Sequence, residues 1–249
     1  MLQTKRLKLD EKILHFPKLS STNSHAKQLL EEGQVLPFWV VADEQSQGRG
    51  RMGRDWDSVK GNLFTTTVRR LRAKPAKLSA LSLLTGVALY EAINEIANGS
   101  VALSLKWPND ILSNHAKLGG ILIETQPTDT IDQTDLIIGV GVNITSNPAL
   151  ENKDTVCLAS LGVRTSRDRL FEALTVHFRA WLERWDHGNN NAYIIDAWLE
   201  KAHPLGTVLT VQSGTKQVRG RFVGLNEQGA LLLKLDNTEI KTITGGELL

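Results

Sequence analysis

Apolar residues recur every third or fourth position along residues 77–97, where Leu78, Leu81, Leu84, Ala88, Ala92 and Ile96 lead up to Gly99. That spacing predicts a long amphipathic helix with a glycine stop. A second stripe, Leu170, Leu174, Phe178, Trp181, Leu182 and Trp185, follows Ser166, a residue suited to an N-cap. Shorter helices are predicted over 192–201 and over 22–33, the latter carrying Ala26, Leu29 and Leu30 and capped by Thr22 or a neighbouring serine. Strands are predicted at 35–42, 63–68, 118–123, 136–144 and 101–107, where strict alternation sends Lys106 to the face opposite Trp107. After His203-Pro204 the texture changes to short β-rich runs at 208–211, 217–223, 230–235 and 239–243, separated by glycine-bearing turns. The pattern divides the chain into residues 1–203 and a small β module, 204–249.

Composition narrows the class but not the chemistry. A chain of 249 residues with 41% apolar content can build a real core. Lysine plus arginine exceeds aspartate plus glutamate by 29 − 27 = 2, so any anion binding must come from local groups. Cys157 is the single cysteine, which excludes an internal disulfide and points to a reducing, cytoplasmic setting, with Cys157 itself a small core residue. The first twenty residues, with Lys5, Arg6, Lys8, Asp10, Glu11 and Lys12, contain no apolar signal core, and no apolar run reaches membrane-spanning length.

The chemistry begins between two predicted strands. Residues 48–54, Gly-Arg-Gly-Arg-Met-Gly-Arg, set three glycines and three arginines in seven positions. Glycine lets the main chain approach a ligand, and arginine offers a planar fork matched to carboxylate and phosphate oxygens. Gly48-x-Gly50-x-x-Gly53 fits the dinucleotide fingerprint by letter, yet Asp55-Trp56-Asp57 and a strand follow where that motif needs a helix. A nucleic-acid loop is the other alternative, but no neighbouring helix repeats the charge. Four further polar clusters accompany the loop: Ser20-Ser21-Thr22-Asn23, Lys106-Trp107-Pro108-Asn109-Asp110, Lys117-Leu118-Gly119-Gly120 and Gly139-Val140-Gly141-Val142-Asn143. No nucleophile-and-base pair stands among them.

In this order and spacing, the loop and its companions resemble the biotin protein ligases, which attach biotin to carboxylase subunits. The resemblance spans nearly the whole chain and is most specific in Gly-Arg-Gly-Arg-x-Gly-Arg-x-Trp and Lys-Trp-Pro-Asn-Asp. It implies an α+β catalytic domain, a mixed sheet with flanking helices of the class II aminoacyl-tRNA synthetase kind, followed by a small SH3-like β-barrel. It implies ATP-dependent activation of biotin to biotinyl-5'-AMP and transfer to a lysine of a biotin carboxyl carrier protein, with Mg2+ accompanying ATP. Ser21, Thr22, Asn23 and Gln45 would meet the ureido ring, while Arg49, Gly50 and Arg51 cover the tail and acyl phosphate. Lys117 and Arg51 would be the catalytic charges, Lys117 lying between the biotin carboxylate and the α-phosphate. The nucleotide side would comprise Gly48, Arg54, Lys106, Trp107, Asn109, Asp110, Gly120 and Asn143. No dedicated metal site is implied beyond Asp110 near magnesium.

The same resemblance sets expectations about partners. Lipoate ligases and octanoyl transferases share the fold, but the arginine loop and Lys-Trp-Pro-Asn-Asp argue against them; a non-catalytic biotin or nucleotide sensor is the non-enzyme rival. Ser21 lies too near the start for the winged helix-turn-helix that some relatives carry, so a monofunctional ligase without DNA binding is expected. The acceptor protein is the expected partner, a homodimer is compatible, and no membrane association is expected. Two departures stand out: Met52 occupies a position basic in many relatives, and residues 154–158 offer no aromatic to clasp adenine.

Overall fold

The computed structural model describes residues 11–73, 75–130, 133–149 and 154–249. The charged residues of the first ten positions, used above against a signal core, lie outside the described residues. Two sheets organise the chain. The larger contains β1 (Lys12–Phe16), β2 (Phe38–Ala42), β3 (Leu63–Arg72), β4 (Leu103–Lys106), β5 (Asp110–Ser113), β6 (Ala116–Pro127) and β7 (Gln133–Val142), in the order β1-β2-β3-β7-β6-β5-β4. Only β1 and β2 pair in parallel; the rest is antiparallel, so the sheet is mixed as expected. Helices α1 (Thr22–Glu31), α2 (Pro75–Leu78), α3 (Ala80–Ile96), α4 (Arg167–Trp185) and α5 (Asn191–Leu199) flank it.

Burial on both faces explains why β2, Phe-Trp-Val-Val-Ala, reads as an unbroken apolar run. Trp39 and Val41 join the main core with Leu84, Val87, Leu170 and Phe178 of α3 and α4. Phe38 and Val40 face the other way and pack with Ala26 of α1, Val68 and Ile137. The second face is the one that matters for chemistry. There, α1 covers one end of the sheet, and glycines at the other leave a hollow.

Ser166 caps α4 as predicted, its Oγ accepting from Arg169 N at 3.2 Å. The predicted 77–97 helix is interrupted at Ser79, whose hydroxyl donates to the Gln228 carbonyl. Cys157 is buried in the core region. Residues beyond 204 form β8 (Val208–Ser213), β9 (Lys216–Leu225), β10 (Leu231–Lys234), β11 (Ile240–Ile243) and β12 (Glu247–Leu248), an antiparallel five-stranded sheet ordered β11-β10-β9-β8-β12. Trp107 Nε1 donates to Gly229 O at 3.1 Å and Asn191 Nδ2 to Glu227 O at 3.2 Å, fixing this module to the larger unit. Among the described residues, no helix is long and apolar enough to cross a membrane.

The α3–α4 packing carries a pH-dependent clasp. His177 Nδ1 lies 3.2 Å from Glu91 Oε2, and Nε2 lies 2.8 Å from Glu95 Oε2. The hydrogen bond to Glu91, opposed by burial and reinforced by Glu95, raises the His177 pKa above its ordinary value. The stability this contributes is fully present below about pH 6.5, the unfolded-state value, and is lost as pH rises through the raised folded-state value. His177→Gln is therefore expected to lower the thermal midpoint most below about pH 6.5 and progressively less toward alkaline pH. A midpoint difference that stays constant across the titration would remove the charge from the account.

Candidate active site

The period of two along each strand assembles the hollow. In register, Phe64 and Thr66 of β3 oppose Gly141 and Gly139 of β7, which in turn oppose Gly120 and Leu122 of β6. These side chains therefore share one face, and the three glycines there clear a cavity of about 450 Å³. The clearance is needed: a Cβ on Gly139 would lie 2.2 Å from Asn23 Oδ1, and one on Gly141 would lie 2.8 Å from the Trp56 ring.

The glycine-arginine segment lies over this floor as a small hairpin. Gly50 N donates to Arg54 O at 2.7 Å and Trp56 N to Gly48 O at 2.9 Å, while Arg49 bridges Asp55. Its tip needs left-handed backbone, supplied by Met52 at φ 58° and Gly53 at φ 72°. Three cations are thereby delivered to the cavity wall. Arg49 Nη2 lies 3.3 Å from Glu124 Oε1, and Arg54 Nη1 lies 2.6 Å from Glu247 Oε2 in the C-terminal module. Arg51 Nη1 donates to Asn109 Oδ1 at 3.1 Å and to Gly246 O at 3.3 Å. Burial lowers the Arg51 pKa from its ordinary value, Asp110 partly offsetting this, and a guanidinium so placed remains a cation.

One end of the cavity is polar and nearly closed. Ser21, Thr22 and Asn23, at the start of α1, are all buried. Ser21 occupies the N-cap position without making a side-chain capping bond. Gln45 Oε1 accepts from Thr22 N at 2.7 Å and Thr22 Oγ1 at 3.1 Å, and Gln45 Nε2 donates to Ser58 Oγ at 2.8 Å. Asn23 is more committed: Oδ1 accepts from Thr66 Oγ1 at 2.7 Å, and Nδ2 donates to Glu124 Oε2 at 2.8 Å.

The middle and far end mix apolar walls with charge. Phe64 and Leu122 supply apolar side chains to the lining, Val140 turning its own side chain to the main core, while Asn143, Pro148 and Thr155 complete the wall. Lys117 Nζ lies 2.7 Å from Asp110 Oδ1 and 5.3 Å from the Trp56 ring centroid. Trp56 Nε1 and Asn143 Oδ1 are buried with no hydrogen-bond partner among the described residues, a polar pair facing the same hollow. Outside the cavity lining, burial lowers the His203 pKa from its ordinary value, with smaller contributions from Lys106 and His115.

Most residues singled out from sequence converge: Ser21, Thr22, Asn23, Gln45, Arg49, Gly50, Arg51, Arg54, Asn109, Lys117, Gly120 and Asn143 all line the cavity. Four stand behind it. Gly48 packs against Trp56 and Ser58, where a Cβ would lie 2.3 Å from Trp56 O. Trp107 is 4% exposed and belongs to the core. Lys106 pairs in register with Asp110, and Asp110 reaches the site through its ion pair with Lys117. Sequence reading missed Trp56, Phe64, Leu122 and Thr155 as lining residues, and Glu124 behind them. Trp56 stood in the motif itself, Phe64, Leu122 and Glu124 follow from strand alternation, and Thr155, held only by an isolated bridge to Lys117, carries no local signal.

Comparison with known proteins decides which family built this cavity. The biotin/lipoate A/B protein ligase family model matches residues 16–143, and the biotin protein ligase C-terminal domain model matches residues 208–248. The chain belongs to the biotin protein ligase family. It is similar to the biotin-[acetyl-CoA-carboxylase] ligase of Paracoccus denitrificans, with 33% identity over 220 residues, 86% of this chain and 90% of that one. It also resembles the bifunctional ligase/repressor BirA of Escherichia coli, with 32% identity covering 93% of this chain and 72% of BirA. Among solved structures, the biotin protein ligase of Aquifex aeolicus in complex with biotin and ATP superposes with a TM-score of 0.78 at 27% identity, covering 96% of this chain and 97% of that one. The Leishmania major ligase in complex with biotinyl-5-AMP gives 0.66 at 26% identity, covering 94% and 99%.

Proposed function

We propose that the cavity holds biotin with its ureido ring at the Ser21, Thr22 and Gln45 end and its carboxylate beside Lys117, with ATP entering from the side of Asn143 and Thr155. The observation that carries this reading is one hollow lined by polar Ser21, Thr22, Asn23 and Gln45, by apolar Phe64 and Leu122, and by the cations Arg49, Arg51, Arg54 and Lys117. A biotin molecule has that sequence of chemistries, and an adenylate adds the anion. Phe64 and Leu122 suit the aliphatic part, and Trp56, the large aromatic beside Lys117, is the surface on which adenine stacks.

The enzyme is an AMP-forming biotin ligase. A biotin carboxylate oxygen attacks the α-phosphorus, the bond from that phosphorus to the bridging oxygen breaks, and pyrophosphate leaves. The deprotonated amine of an acceptor lysine then attacks the acyl carbon, and AMP departs with the electron pair of the broken C–O bond. Both steps concentrate negative charge, so the contribution of the protein is orientation and electrostatic stabilisation by cations fixed in advance. Lys117 and Arg51 are the charges placed to do this. Asp110, through its ion pair, sets the position of Lys117 and is the carboxylate that would meet magnesium accompanying ATP. The acceptor is the biotin carboxyl carrier protein of a carboxylase, and residues 204–249 act as a module that steadies the loop through Gly246 and Glu247.

Biotin-dependent exchange of labelled pyrophosphate into ATP tests the first step alone. Exchange is expected with biotin and absent with lipoic acid, which has no ureido group for the closed end. Exchange that runs equally with lipoic acid would overturn the assignment of that end.

A further inference from the structure

Glu124 lies two residues along β6 from Leu122, the last cavity-lining position of that strand. Gly120 and Leu122 line the hollow, and alternation places Glu124 on their face. Its Oε2 accepts from Asn23 Nδ2 at 2.8 Å, while Oε1 and Oε2 lie 3.3 and 3.4 Å from Arg49 Nη2. The same Arg49 nitrogen donates to Ser24 Oγ at 3.2 Å. One carboxylate therefore joins α1, the arginine hairpin and β6, three elements brought together from distant parts of the sequence.

The arrangement around Asn23 shows what this carboxylate controls. Asn23 Oδ1 takes the Thr66 hydroxyl, and Nδ2 is divided between Glu124 and the Leu122 carbonyl, 3.4 Å away. With Gly139 leaving no side chain beneath it, the amide is oriented wholly by protein partners. Glu124 is the charged member of that set, and its remaining capacity is spent on Arg49.

We propose that Glu124 is a positioning residue that couples the closed end of the cavity to the loop above it. Acting through Asn23, it fixes the start of α1; acting through Arg49, it holds the first limb of the hairpin over the bound adenylate. This rests on the reading of the cavity as a biotin site.

The two links can be separated. Glu124→Gln keeps a carbonyl oxygen for Asn23 but removes the charge that attracts Arg49, whereas Glu124→Ala removes both. The ion pair is partly solvent-exposed, with side chains 44% and 36% accessible, so its contribution is modest. Leaving the buried Asn23 amide with only its 3.4 Å contact to the Leu122 carbonyl is the larger loss. Glu124→Gln is expected to hold biotin affinity within about twofold while releasing biotinyl-adenylate roughly two- to fivefold faster. Glu124→Ala is expected to weaken biotin binding about tenfold as well. Arg49→Ala combined with Glu124→Gln should release the adenylate no faster than Arg49→Ala alone. Additive release in the double variant, or equal loss of biotin affinity in the Gln and Ala variants, would overturn the proposal. Wild-type adenylate formation is measured alongside: its failure would overturn the biotin reading itself, whereas a normal wild type with unmoved variants would reject only the role of Glu124.

Discussion

Lys117→Ala is expected to slow formation of biotinyl-adenylate by about 100- to 1,000-fold while leaving biotin affinity within a few-fold. Lys117 Nζ stands 2.7 Å from Asp110 Oδ1 and over the Trp56 face, at the junction of the apolar middle and the charged mouth. In the ground state its removal costs one contact among many around biotin. As carboxylate and α-phosphate meet, two anions must share a small volume, and a cation already fixed by Asp110 needs no reorganisation to stabilise them. Truncation also leaves the Asp110 carboxylate without this partner, which adds negative charge where it is least welcome. Single-turnover adenylation and equilibrium biotin binding, measured separately, check the split. A large loss of biotin affinity with unaltered adenylation would contradict the role.

Arg51→Gly is expected to act later, on retention of the intermediate. Arg51 ties the hairpin tip to Asn109 and to Gly246 of the C-terminal module. Hydrogen bonds from a charged donor contribute roughly 1.5–3 kcal/mol each, and glycine adds backbone freedom at the tip. Release of biotinyl-adenylate should accelerate about 10- to 100-fold, because each 1.4 kcal/mol is a factor of ten. The escaped anhydride then labels lysines on bystander proteins. A rapid-dilution measurement of adenylate release decides the matter, and an unchanged rate would show that the loop does not guard the intermediate through Arg51.

The legible parts of the chain were those whose signal is local. The α4 stripe of Leu170, Leu174, Phe178, Trp181 and Trp185 emerges as buried residues of one helix because a period of 3.6 dictates one face. Strand β2 announces itself because both of its faces are apolar. Strand β1 did not, since Lys12 and His15 lie exposed at the sheet edge and break the pattern. Strand β5 was hidden behind Pro108-Asn109-Asp110, which reads as a turn, although Asp110 already pairs with Lys106 and Gly120. In the site, the polar clusters were recognisable by residue type. Trp56 and Glu124 acquire their roles only from register: Gly141 clears room for the indole, and the pleat aims Glu124 at Asn23. No window of neighbouring residues contains that information.

The most direct test of the whole account is the mass of an apo biotin carboxyl carrier domain incubated with this chain, biotin and MgATP. The carrier is expected to gain one biotinyl group on its acceptor lysine, with AMP and pyrophosphate produced in equal amounts. A carrier that stays unmodified with biotin while a lipoyl acceptor is modified with lipoic acid would contradict it.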